Sequence, residues 1–152
     1  MAAPASINPR IIEALYCEAL VLSDEVRAAF APSPESRVST ATEEEALALS
    51  CEGLRATTRM MQAAAWLLNH RAYLAGNLSE LQLRRYGRLQ PSPAGDPERL
   101  ALLDPALCEL IRATELLHER LMRLEQCWRA EEVQEQDDIF SLQRRLGMRA
   151  HG

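Results

Sequence analysis

A chain of 152 residues, with 47% hydrophobic, 26% charged and 5% aromatic residues, is long enough for one domain with a modest core. The net charge of −5 excludes a general nucleic-acid binder, which needs surplus cations to displace phosphate counterions. The composition favours helices over a β-sandwich.

No lysine occurs, so all 17 cations are arginine. Cys17, Cys51, Cys108 and Cys127 are scattered without a CxxC pair. They read as buried thiols of a cytoplasmic protein, not a disulfide frame or zinc site. No basic region leads into an apolar run at the N-terminus, and no run approaches the roughly 18 residues needed to cross a bilayer. A signal peptide and a membrane span are therefore not expected.

Residues 1–7 are expected to be a flexible N-terminus. Asn8-Pro9 then makes a helix start, with Asn as cap and Pro at the first helical position. Ile12, Leu15, Ala19, Leu22, Val26 and Ala29 follow at alternating spacings of three and four, up to the polar loop at Pro32 and Pro34. Thr40-x-x-Glu43 and Thr42-x-x-Glu45 both fit a capping box. The second helix runs from there to about Ala75 and stops at Gly76, a span of about 50 Å.

Ser79 caps a short helix to about Leu89, and the turn-rich QPSPAGDP follows. A third long helix starts at Asp104-Pro105, or slightly earlier if Asp96-Pro97 adds a turn. Its seam is Leu107, Leu110, Thr114, Leu117, Leu121, Leu124 and Trp128. The economical architecture is all-α, an up-down-up three-helix bundle over residues 8–130 with a short helix between helices 2 and 3. Residues 131–152 read as a flexible tail, an acidic spacer and then a short apolar and basic segment. In that segment Ile139, Phe140, Leu142, Arg144, Arg145 and Leu146 either pack back on the bundle or dock on another protein.

The second helix carries two opposed apolar seams. Leu47, Cys51, Leu54, Thr58, Met61, Ala65, Leu68, Ala72 and Ala75 are assigned to its own bundle. Almost opposite lie Gly53, Ala56, Met60, Ala63, Leu67, His70 and Leu74. Either the short helix or the first helix covers this second seam, or it is a partner-binding face for a second copy or a client.

Catalytic chemistry is hard to find. Glu115-Leu-Leu-His118 has the spacing of a di-iron bundle, but such a site needs a second pair and two more inward carboxylates. His70 lies beside Arg71 with no lysine nearby, a poor match to a phosphotransfer histidine. No phosphate loop, nucleophile elbow or paired catalytic carboxylates appear. No catalytic residue, cofactor or metal is expected, with histidine phosphotransfer through His70 and a purely structural helical dimer as the alternatives.

Thr57, Thr58, Arg59, Met60, Met61, Gln62, Ala65, Trp66, Leu67, Leu68, His70 and Arg71 make a run of Thr-Thr-Arg, apolar residues, Trp-Leu-Leu and His-Arg. This run resembles the central helix of the RcdA family, regulators of CtrA degradation in alphaproteobacteria, and the likeness extends more weakly over residues 8–130. The resemblance implies a small three-helix-bundle adaptor, commonly a homodimer, with a disordered C-terminal tail. It implies work at the ClpXP protease in cell-cycle regulation. The implied partners are a response-regulator-like primer, client regulators, or a further adaptor that binds cyclic di-GMP. The third helix and shortened tail depart from the family pattern, so no cargo-contact position is carried over.

Overall fold

The computed structural model describes residues 7–31 and 42–149, and among them the only regular secondary structure is helical. The helices are α1 (Pro9–Phe30), α2 (Glu43–Leu74), α3 (Glu80–Tyr86), α4 (Pro97–Leu100) and α5 (Pro105–Arg149). Their ends follow local chemistry. The Asn8 side chain accepts from the Arg10 amide at 2.9 Å, with Pro9 opening α1. Thr42 and Glu45 close a reciprocal capping box at the start of α2, and Ser79 and Gln82 do the same for α3. Thr40 and its expected box lie outside the described residues. Gly76 follows α2 with φ of 78°, a left-handed conformation that glycine adopts without a Cβ penalty.

One core joins the three long helices. Ile12, Leu15, Ala19, Leu22 and Val26 of α1 are all buried, and only Ala29 of that seam is exposed. They pack in a cluster with Ala56, Met60, Ala63, Trp66 and Leu67 of α2 and Ile111, Leu117 and Leu121 of α5. Thr114 and Trp128 of the expected α5 seam are also buried, while Leu107, Leu110 and Leu124 are half-buried.

Residue pairs fix the directions of these helices. Phe30 lies against Gly53, and Arg71 Nε donates to Glu13 Oε1 at 2.6 Å, so α1 and α2 are antiparallel. Arg120 reaches Glu18, and Ile11 and Leu15 share a groove with Leu124 and Cys127, so α1 and α5 are antiparallel as well. Arg59 meets Thr114 and His70 meets Trp128, so α2 and α5 run parallel. The order is therefore up-down-down, not the expected up-down-up. Short loops would have made neighbours antiparallel. Here residues 87–96 instead form an irregular strap that returns along α2 and α5 before α5 begins.

Two further expectations are corrected. The helix does not end near Ala130: α5 continues to Arg149, through the stretch read as an acidic spacer. Residues 133–149 are exposed along this extension, including Ile139, Phe140, Leu142, Arg144, Arg145 and Leu146, so that apolar segment does not fold back on the core. The cysteines are not a buried set either, because Cys17 and Cys127 are exposed.

Candidate interaction surface

The two faces of α2 are exchanged relative to expectation. Gly53, Ala56, Met60, Ala63, Leu67 and His70, the seam offered as a partner-binding face, are buried within the single chain; only Leu74, at the helix end, is exposed. The cover comes from α1 and α5. Gly53 shows why a small residue stands there, since an added Cβ would sit 2.7 Å from Phe30 Cδ1.

Polar residues hold this face together. Arg59 is 1% exposed. Its Nη1 donates to Thr114 Oγ1 at 2.8 Å, its Nη2 to the Pro93 carbonyl at 2.7 Å, and its Nε to Ser92 Oγ at 3.2 Å. Burial lowers the guanidinium pKa, and the nearby Glu115 and Glu52 carboxylates oppose that shift. Both Glu125 carboxylate oxygens accept from the Leu89 amide, at 2.9 and 3.0 Å. His118 Nε2 lies 3.0 Å from the Gln90 carbonyl, a contact in which the ring nitrogen donates. Gly95 N donates to Glu115 Oε1 at 2.6 Å, and Asp96 N reaches the fully buried Glu52. These groups supply partners for a strap that has no helical hydrogen bonds of its own.

Glu115 and His118 are thus occupied as strap ligands, each with a backbone partner. Among the described residues no three His, Cys, Asp or Glu side chains form a group that could hold a metal ion. His70 is 3% exposed, with its ring centroid 3.9 Å from that of Trp66 and 5.3 Å from that of Trp128. Burial, with a smaller contribution from Arg129, lowers its pKa to about 4. The run that carries the family resemblance is therefore divided between interior and surface, with Arg59, Met60, Trp66, Leu67 and His70 buried and Thr57, Thr58, Met61, Ala65 and Leu68 exposed. Arg59 clamps the strap, Trp66, Leu67 and His70 fill the core, and Arg71 bridges to Glu13 over the Tyr16 ring.

What remains outside is the other seam. Leu47, Leu54, Met61 and Leu68 are 63%, 69%, 68% and 46% exposed, spaced seven residues apart along α2. Cys51, Thr58 and Ala65 lie between them and Ala72 follows, small enough for another helix to approach closely. Met61 also lines a groove of about 640 Å³ between α1 and α2, with Leu20, Phe30, Thr57, Met60 and Ala64 among its walls. A stripe of this kind has the periodicity of a helix-packing seam, and no helix among the described residues covers it. Single heptad counting found both seams but not which one the fold buries, because Glu52 and Arg59 lie on the buried side.

Fold and surface together define an all-helical protein that leaves an apolar helix face open. The chain matches the model of the family described as "Protein of unknown function (DUF1465)" over residues 3–149, and it belongs to that family. No curated protein matches it, and no solved structure does.

Proposed function

We propose that this protein is a noncatalytic adaptor in regulated proteolysis. The α2 stripe and the adjoining α1/α2 groove would receive a protein partner. The observation that carries the reading is the set of four large apolar side chains at seven-residue spacing, Leu47, Leu54, Met61 and Leu68, all exposed on one helix. Exposed apolar surface is costly in a lone soluble chain and characteristic of a docking face. Groove residues Met60 and Met61 add unbranched, adaptable side chains suited to more than one partner shape.

The resemblance to the RcdA family supplies the setting. The partners would be a primer bound to ClpXP, a client regulator of the cell cycle, or a further adaptor, with the protein working as a homodimer in the cytoplasm. A phosphotransfer role for His70 gains no support, since such a histidine must offer a ring nitrogen to a donor protein and His70 is enclosed by Trp66 and Trp128. No helix among the described residues is long and apolar enough to cross a membrane.

Reconstituted ClpXP degradation of a cell-cycle regulator, with its primer, tests the proposal. Addition of the protein should accelerate client loss, and the Leu54→Glu/Met61→Glu variant should not. Equal rates with and without the wild-type protein would remove the adaptor reading.

A further inference from the structure

The end of α5 carries a second unpartnered feature, independent of the α2 stripe. Residues 131–138 contain five carboxylates, Glu131, Glu132, Glu135, Asp137 and Asp138, and no cation. Residues 144–149 contain Arg144, Arg145 and Arg149 and no carboxylate. The helix macrodipole accounts for arginines at the C-terminal end but not for an acidic block in mid-helix. Nor do intrahelical pairs account for it: no arginine of this arm lies three or four residues from one of its carboxylates. Of the eight charges, only Glu132 forms a recorded ion pair among the described residues, with Arg84 of α3.

Reflection about the point between Phe140 and Ser141 pairs Glu132 with Arg149, Asp137 with Arg144, Val133 with Met148 and Ile139 with Leu142. Antiparallel alignment of two such arms on that point sets Asp137 opposite Arg144, Val133 opposite Met148, and one Phe140 beside the other. Val133, Asp137, Phe140, Arg144 and Met148 fall within about 80° of one another on a helical wheel. Val133, Phe140 and Met148 are 59%, 65% and 76% exposed. The helix α3 approaches the arm from another side, through Glu132, Glu135, Gln136 and Ile139, so it does not cover this face.

We propose that the exposed face of the α5 arm binds the same face of a second copy of this chain, antiparallel, with acidic half against basic half. A parallel pairing would stack like charges along the whole arm. The antiparallel contact is self-complementary, as a two-fold interface requires. It leaves the α2 stripe of each copy free, and it does not depend on the adaptor reading.

Sedimentation velocity of the full chain over a concentration series tests the pairing, with circular dichroism as the control for fold. The wild type should associate, more weakly as salt is raised. Arg144→Glu/Arg145→Glu should weaken association by about ten-fold or more, because each dimer contains every altered contact twice. Adding Asp137→Arg/Asp138→Arg to that variant should restore it. Leu54→Glu/Met61→Glu, on the α2 stripe, should dimerise like the wild type. Overturning results are a monomer at every concentration, or wild-type association in Arg144→Glu/Arg145→Glu.

Discussion

Arg59 Nη1 donates to Thr114 Oγ1 at 2.8 Å, in the interior between two parallel helices and beneath the strap. The hydroxyl in turn donates to the Ile111 carbonyl at 2.7 Å. One guanidinium thereby ties α2, α5 and the strap carbonyl of Pro93 into a single network. Removal of such a buried cation strands several polar groups at once.

Arg59→Ala is expected to cost about 3–5 kcal/mol, the range for breaking one side of a buried charged network. Arg59→Lys should recover only part of this, because an ammonium does not reproduce the planar fork. Urea unfolding midpoints of the three proteins measure both.

Glu125→Ala leaves the buried Leu89 amide without its acceptor, at a cost of about 1–3 kcal/mol. The loss should be local before it is global. Hydrogen exchange at Leu89 should speed up more than exchange at Leu67, which lies in the helical core.

Stability should fall in mild acid. The neutral form of His70 is favoured by burial, so its folded pKa of about 4 lies below the ordinary value of 6.5. The unfolded chain then binds the proton first. The contribution of this residue is fully present above pH about 6.5 and is lost as pH falls toward about 4, to a total of about 3 kcal/mol. Burial shifts His118 in the same direction. A His70→Phe variant should flatten the slope of unfolding free energy between these pH values.

The two sides of α2 should respond oppositely to the same substitution. Leu67, fully buried, should not tolerate glutamate, and Leu67→Glu should cost more than about 4 kcal/mol. Leu54→Glu changes an exposed position and should stay within about 0.5 kcal/mol of wild type. Thermal melts of both variants decide between the two assignments of the seam.

Local signals in the sequence were reliable guides. The caps at Asn8, Thr42 and Ser79 and the stop at Gly76 depend on neighbours three residues away or fewer, and they lie where short-range chemistry puts them. The α1 seam was legible too, because its buried face is wholly apolar. On α2 the buried face also carries Glu52, Arg59 and His70. A binary reading sends charged residues to the surface, and the partners of Glu52 and Arg59 come from the strap and α5, tens of residues away, while His70 packs between Trp66 and Trp128. The parallel course of α2 and α5 was hidden for the same reason. The prolines and glycine of QPSPAGDP announce a loop but not that it runs back against two helices, between Glu52 and Arg59 of α2 and between Glu115 and Glu125 of α5. The extension of α5 was missed because its acidic composition suggested chain unable to bury apolar surface, yet a helix needs no burial when it continues an established one.

The strap also sets when this chain can finish folding during its synthesis. The first two helices can pair once residue 74 is made, but Arg59 then faces an open groove, and so does the Leu89 amide once it is added. Their acceptors, Thr114 and Glu125, come 55 and 36 residues later. Until those residues emerge, a growing chain displays Arg59 without its α5 partner and half a core to its surroundings. Emergence of α5 as far as Glu125 is therefore the event that commits the chain to its fold, and a stalled ribosome short of that residue would hold a species that chaperones and proteases can recognise.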